Sequence, residues 1–201
     1  MPSKAITREG KSVYAYSLNK FQAVDWYRDK GLLCPHCKGE MFPRGGAETT
    51  VKLHFVHKTN KCSTKMEHHP EGEDHRQGKQ LIYQLIKKVI NKTKNSALDV
   101  DIEVGLPQCG QNGRIADVAI FYRKEVFCVI ECQLSRITAD KLIQRIQDYN
   151  KEGIESYWVL GKGAKTTENI QSTLKYTNAL LFLEEFQETI LEADFVEGVL
   201  S

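Results

Sequence analysis

The stretch that decides the fold is residues 114–133, which read RIADVAIFYRKEVFCVIECQ. The half from Ile115 to Tyr122 is interpreted as an alternating strand segment, and an apolar run follows from Val126 to Leu134. The polar trio Arg-Lys-Glu separates the two segments. Alternation and short apolar runs bounded by polar residues are typical of β-strands, so this stretch predicts a β-hairpin.

Acidic residues interrupt the hairpin where a core strand is normally apolar. Asp117 lies on the first strand, and Glu131 and Gln133 share one face of the second, because side chains two apart point the same way. If the strands pair, the two carboxylates can converge on one hard divalent cation such as Mg²⁺. The alternative is a carboxylate at a solvent-exposed strand end, but a strand this apolar rarely admits an unpaired Glu.

Composition limits the class of protein. The 201 residues are 41% hydrophobic and 27% charged, enough for one core plus a small module. No apolar run approaches the roughly 20 residues that span a bilayer, and the N-terminus lacks the apolar block of a signal peptide, so we expect a cytoplasmic protein. The net charge of +2 argues neither for nor against nucleic acid. A local basic cluster, equally compatible with a solvated helix end, comprises Lys87, Lys88, Lys92 and Lys94.

Six cysteines in a cytoplasmic chain favour metal ligation or burial over disulfides. The CPHC motif has the two-residue gap of a zinc site, and HFVHKTNKC supplies a second pair downstream. His54 and His57 are three apart and would face opposite ways in an extended segment, so one of them is expected to ligate. The alternative is buried free thiols beside a hydrogen-bonded histidine. The predicted zinc ligands are Cys34, Cys37, His57 and Cys62.

A long helix is predicted from about Glu73 to Lys92. Residues at helical spacings of three and four form one stripe, which we expect to face the sheet: His75, Lys79, Ile82, Ile86 and Val89. This stripe would direct His75 and Lys79 toward the two carboxylates, unless the first turns lie in solvent. Glu71 lies one turn further back, beyond the interruption at Gly72.

The remaining elements complete a core. A strand precedes the hairpin, and a helix capped by Thr138 and a buried strand SYWVLG follow it. The order predicts an α/β fold in which an α-β-β-β-α-β mixed sheet is flanked by helices, with a small N-terminal zinc module. The predicted divisions are an N-terminal segment and zinc module (1–63), a linker (64–72), the core (73–165) and a C-terminal appendage (166–201).

Seven short motifs follow one another along the chain: CPHC, HFVH, Glu71 with His75 and Lys79, RIAD, ECQLSRIT, Arg145 with Tyr149, and YWVL. Their order resembles the competence protein CoiA-like family of the PD-(D/E)xK nuclease superfamily. The resemblance covers about residues 31 to 161 and implies a restriction-endonuclease-like core. It assigns Asp117 and Glu131 to the acidic motif positions and puts Gln133 where the superfamily usually has Lys. We take Lys79 as the substitute for that missing cation.

The resemblance implies a Mg²⁺- or Mn²⁺-dependent deoxyribonuclease, an endonuclease of DNA processing, recombination or competence. Asp117 and Glu131 would hold the metal, Gln133 would orient the attacking water, and His75 would act as a supporting partner or proton donor. The expected catalytic residues are Asp117, Glu131, Gln133, Lys79, His75 and Glu71. The expected nucleic-acid contacts are Arg114, Arg145, Lys87 and Lys88.

The rival hypothesis is a non-catalytic, zinc-containing DNA-binding adaptor on a nuclease-like core. The same basic residues would serve phosphate contacts in that case, since such contacts position a protein without specifying sequence. The expected partner is DNA rather than a membrane, and a homodimer or a recombination protein would be compatible with the sequence. DNA against RNA, strandedness and sequence preference stay open.

Overall fold

The structure is a computed structural model that describes residues 2–46, 49–59, 62, 64, 66 and 72–183. The chain forms two compact units, Met1–Gly72 and Glu73–Ser201, and each contains a five-stranded sheet. Glu71 and the chain after residue 183 lie outside the described residues. None of the helices in the described part of the chain is long and apolar enough to cross a membrane.

The first unit is an antiparallel sheet with one helix. Its elements are β1 (Lys4–Ile6), β2 (Ser12–Tyr14), a 3₁₀ turn (Ala15–Ser17), α1 (Lys20–Lys30), β3 (Leu32–Leu33), β4 (Glu40–Arg44) and β5 (His54–His57), in the sheet order β2-β1-β3-β4-β5. Helix α1 begins with a capping box between Asn19 and Gln22. It ends at Lys30, and Gly31 follows as its C-cap with a φ of 65°, a conformation that glycine adopts without steric cost.

The second unit is a mixed sheet with helices. Its elements are α2 (Glu73–Thr93), β6 (Leu98–Leu106), β7 (Arg114–Tyr122), β8 (Glu125–Gln133), α3 (Ala139–Asn150), β9 (Glu155–Gly161), α4 (Thr167–Tyr176) and β10 (Leu180–Leu183). Strands β6, β7 and β8 are antiparallel, whereas β9 runs parallel to β8 and β10 parallel to β9. The predicted α/β class and the α-β-β-β-α-β order are confirmed.

The C-terminal end of the sheet differs from the prediction. The sequence predicts an appendage from residue 166, but α4 and β10 extend the core as far as Leu183. Strand β10 pairs with β9 along four residues and forms one edge of the sheet. A four-residue strand is too short to be distinguished by periodicity from a buried helical segment, which explains the difference.

Helix α2 packs on the sheet through its first three turns, where Arg76, Lys79 and Ile82 are buried. The prediction that Val89 continues this stripe is wrong, because Val89 is 58% exposed and the last two turns face solvent. Gly78 allows the close approach of the helix: a Cβ at this position would lie 2.8 Å from Sγ of Cys132.

We predict that Gly78→Ala destabilises the protein, although alanine is the better helix former by about 1 kcal/mol. The added methyl group overlaps Cys132, and overpacking of this kind costs about 1–3 kcal/mol. Urea denaturation measures the free energy of unfolding. The double variant Gly78→Ala/Cys132→Ala is the matched control and should recover most of the loss; a Gly78→Ala variant more stable than wild type would contradict the packing described.

Candidate functional site

Three acidic residues lie opposite one another on the adjacent strands β6, β7 and β8. Strands β7 and β8 are antiparallel and Val118 pairs with Ile130, so Asp117, the residue before Val118, lies opposite Glu131. The β6–β7 register puts Glu103 opposite Asp117 in the same way. All three are buried, at 6%, 8% and 0% exposure for Glu103, Asp117 and Glu131. Directly opposite residues are close neighbours, so this row concentrates negative charge inside the fold.

Asp117 is an anion held by α2 and β8. Its Oδ2 accepts a hydrogen bond from the main-chain N–H of Cys132 at 2.9 Å and lies 3.0 Å from Nε2 of His75. Burial alone would raise the pKa of Asp117, but the charges of His75, Lys79 and Arg145 together hold that pKa below its ordinary value. Because both contacts use Oδ2, the other carboxylate oxygen can accept a ligand.

Lys79 contacts a residue that the sequence analysis did not single out. Its Nζ donates to Oε1 of Glu103 at 2.8 Å, and the lysine is fully buried. Glu103 has a φ of 51°, an unusual backbone conformation for a residue inside a strand. In the alternating segment DVDIEV, Glu103 looks like a solvent-facing residue, so periodicity could not identify it as part of the site. His75 therefore faces Asp117, whereas the direct partner of Lys79 is Glu103.

Glu131 is held by two residues one turn apart on α3. Arg145 donates from Nη2 to Oε2 at 2.5 Å, and the Tyr149 hydroxyl donates to Oε1. Burial raises the pKa of Glu131 to about 7, although Arg145 and Tyr149 act in the opposite direction. The Arg145 guanidinium also lies over the Trp158 ring, 5.1 Å from its centroid. Helix α3 is thus tied to the central strand through this carboxylate.

Gln133 has contacts on both sides of its amide. Its Oε1 accepts from Nη1 of Arg145 at 3.4 Å, and its Nε2 donates to the main-chain oxygen of Ser135 at 2.8 Å. The amide oxygen of Gln133, which was expected to orient a water, therefore already accepts a hydrogen bond from Arg145. The cation beside both Glu131 and Gln133 is Arg145, whereas Lys79 contacts Glu103.

The four residues expected to contact nucleic acid have different environments. Arg114 binds Asp148 through Nε at 2.9 Å and Nη2 at 2.6 Å, and Arg145 is only 5% exposed. Both arginines contact carboxylates of the fold, so neither extends into solvent as a surface contact for a nucleic-acid backbone. Lys87 and Lys88 are exposed on α2, although Lys87 also donates to the Tyr83 hydroxyl at 2.7 Å. Of the four residues, the two lysines are accessible to a ligand.

A second group of potential ligands lies in the first unit. The thiol and imidazole atoms of Cys34, Cys37, His57 and Cys62 all lie within 4.8 Å of one another. Within the ranges that the structure describes, this is the group of three or more His, Cys, Asp and Glu residues that could surround one ion. A Cys₃His set can bind zinc in a closed tetrahedral site. The structure therefore brings the four predicted ligands together.

The geometry of this Cys₃His cluster comes from turns of the chain. The CPHC motif joins β3 to β4, and His57 ends β5, so β4–β5 pairing carries its ring toward Cys37, with Nε2 3.3 Å from Sγ. His54 lies outside the group, with Nδ1 2.9 Å from the main-chain oxygen of Lys52. Burial raises the pKa of Cys34 to about 12, so its thiolate form needs a nearby cation.

The fold and the two sites define a nuclease-like α/β core accompanied by a unit that carries a Cys₃His cluster. Residues 71–192 match the family model described as "Competence protein CoiA, nuclease-like domain", and the chain belongs to that family. The match spans the helix–strand–strand–strand–helix–strand order and includes Asp117 and Glu131.

Individual proteins show more distant similarity. The chain is 28% identical over 131 residues to "Competence protein CoiA" of Bacillus subtilis (strain 168), which covers 65% of this chain and 31% of the relative. The chain therefore spans about a third of the length of that relative. The structure of Pyrococcus furiosus SfsA in complex with Ca²⁺ has a TM-score of 0.38 and 10% identity, with 78% of this chain and 80% of that chain covered. A likeness at this level carries no inference about the site.

We predict that protein purified without chelator contains about one equivalent of zinc, because structural zinc sites survive purification. Cys37→Ala should lower the bound zinc and the thermal midpoint of the first unit, whereas Cys109→Ala, a buried cysteine of the second unit, should leave the zinc content unchanged. Metal analysis and thiol titration measure the bound zinc, and thermal unfolding measures the midpoint. Wild-type protein with less than about half an equivalent of zinc would contradict the prediction.

Proposed function

We propose that the chain is a Mg²⁺- or Mn²⁺-dependent deoxyribonuclease of the PD-(D/E)xK type that acts in DNA processing, recombination or competence. The observation that carries this proposal is the position of Asp117 and Glu131, which are buried and opposite one another just past the last regular pair of β7 and β8. Membership of a family described as nuclease-like supports the same reaction class.

The residues of this site fit a hard divalent cation. Carboxylate oxygens are the ligands that Mg²⁺ prefers, and ligating carboxylates are typically oriented by further hydrogen bonds. His75 orients Asp117, while Arg145 and Tyr149 orient Glu131. Each carboxylate oxygen has two lone pairs, so a hydrogen bond and a cation can share it. A bound Mg²⁺ would supply an activated water and stabilise charge on the phosphodiester.

The net charge of the carboxylate row also favours a cation that binds together with a substrate phosphate. The three carboxylates of Glu103, Asp117 and Glu131 outnumber the two permanent cations, Lys79 and Arg145. The row therefore keeps one net negative charge when Glu131 is ionised and His75 is neutral. Mg²⁺ commonly binds through one or two protein carboxylates and completes its shell with water and substrate oxygens.

We further propose that Arg145 performs the role of the lysine that the superfamily usually carries at position 133. Its guanidinium contacts both Glu131 and Gln133, and it cannot lose its charge at any working pH. Lys79 forms its ion pair with Glu103, and its positive charge also lowers the pKa of Asp117. Gln133 then serves to position Arg145 and the Ser135 backbone.

We predict that Asp117→Asn lowers cleavage of DNA by about a thousandfold, because losing several kcal/mol of metal-dependent stabilisation has that effect on rate. The amide keeps an acceptor for the Cys132 N–H, so folding should survive. The assay uses circular single-stranded and supercoiled duplex DNA with Mg²⁺ or Mn²⁺. Asp140→Asn, an exposed residue in the first turn of α3, is the matched control.

Two outcomes would remove the nuclease proposal. The first is wild-type cleavage by Asp117→Asn in an assay controlled with chelator. The second is wild-type protein that shifts the mobility of DNA and never cuts it, which would support the DNA-binding adaptor instead. An equivalent assay with RNA determines which nucleic acid is the substrate.

We predict that Gln133→Lys alone impairs cleavage, because the new ammonium would lie beside the Arg145 guanidinium in a buried site. The exchange variant Gln133→Lys/Arg145→Gln restores one cation and one amide and should recover the activity that either single variant lacks. Thermal midpoints are measured in parallel to separate folding from turnover. Activity of Gln133→Lys at or above the wild-type level would show that Arg145 does not perform the lysine's role.

A further inference from the structure

The turn between β7 and β8 is strained, and two basic residues form it. Arg123 and Lys124 both have positive φ values, 50° and 74°. Two-residue hairpin turns with positive φ at both positions strongly favour Asn-Gly, because side chains with a Cβ carry a steric cost there. Strain that persists at a surface site indicates that the residues serve something other than folding.

Two exposed aromatic side chains flank this turn. Tyr122 is 43% exposed and Phe127 is 48% exposed. The register pairs Phe121 with Val126, and both pack against the buried core. The register shifts between Ile120 and Phe121, so Phe127 is the extra residue of a β-bulge and is not paired with a residue of β7. The hairpin therefore presents two aromatic rings to solvent close to its turn.

Charged residues of both signs surround the turn, and the basic ones are in excess. The main-chain N–H of Arg123 donates to the oxygen of Ala97 at 2.7 Å, which places the turn beside the loop that follows α2. Lys94, in that loop, is exposed and three residues before Ala97. The Arg123 guanidinium lies over the Tyr122 ring, 5.2 Å from its centroid. Glu125 and Asp99, which pairs with Phe121, are the exposed acidic residues beside the turn.

We propose that this hairpin surface, defined by Lys94, Tyr122, Arg123, Lys124 and Phe127, binds a single strand of nucleic acid. The basic side chains contact phosphates, and the two rings stack on bases, which every nucleotide offers irrespective of sequence. The turn lies six residues along β7 from Asp117, about 20 Å at the rise of a strand. The surface is therefore separate from the candidate site, and strand binding there does not require cleavage.

The variant Arg123→Asn/Lys124→Gly separates binding from folding. It installs the residues that this turn geometry favours, so the midpoint of unfolding should rise, while both cations are removed. Fluorescence anisotropy with a labelled oligothymidylate of roughly 20 nucleotides, in chelator, measures binding without cleavage. We expect affinity to fall about tenfold and the slope of the salt dependence to weaken by about 0.7 for each phosphate that the variant no longer neutralises.

The matched control is Lys175→Glu on α4, which packs beside β10 at the other edge of the sheet and should bind as wild type. Glu125→Lys should strengthen binding.

Tyr122→Ala and Phe127→Ala should each weaken oligothymidylate binding about fivefold or more and leave heparin binding unchanged, because heparin has no bases to stack. Equal losses for both ligands would overturn the single-strand assignment.

Binding of oligothymidylate at wild-type affinity by the Asn-Gly variant would overturn the proposal, whatever the cleavage assay shows. Wild-type protein that binds the oligonucleotide through this surface and never cleaves DNA would remove the nuclease proposal alone. Wild-type protein that fails to bind oligothymidylate in the low-salt range would exclude a single strand as the partner of this hairpin.

Discussion

The ion pair between Glu131 and Arg145 is the interaction on which the second unit depends. A carboxylate that is fully buried costs several kcal/mol unless it is paired and hydrogen-bonded, and removing one partner of such a pair costs about 3–5 kcal/mol. Arg145 and Tyr149, one turn apart on α3, each satisfy one oxygen of Glu131. The Trp158 ring supports the guanidinium, so a single carboxylate fixes α3 on the central strands.

Helix α2 makes the corresponding contacts with the other two carboxylates of the row. His75 and Lys79 are one turn apart and reach Asp117 and Glu103, respectively. The positive φ of Glu103 is a strain that the surrounding fold must offset, and strained residues concentrate at functional sites. Two helices thus bring cations to adjacent strands, and Gly78 permits α2 to approach closely enough to do so.

Local periodicity predicts much of this arrangement. The hairpin, the six-element order and the helix that carries His75 follow from alternation and helical spacing, and the Cys₃His cluster follows from ligand spacing. The contacts that decide each residue's role were not predictable, because they join distant positions. Arg114 meets Asp148 34 residues later, and Glu103 meets Lys79 24 residues earlier. Pattern alone also cannot distinguish a buried polar residue of a strand from an exposed one.

The central claim is that Asp117 and Glu131 hold a divalent cation between β7 and β8. Anomalous X-ray diffraction from crystals grown with zinc and soaked in Mn²⁺ tests it directly, because the two metals are distinguished by their absorption edges. The account predicts a manganese peak within coordination distance of an oxygen of each carboxylate, separate from a zinc peak among the cysteines. Manganese absent from the two carboxylates in a crystal whose zinc site is filled would contradict it.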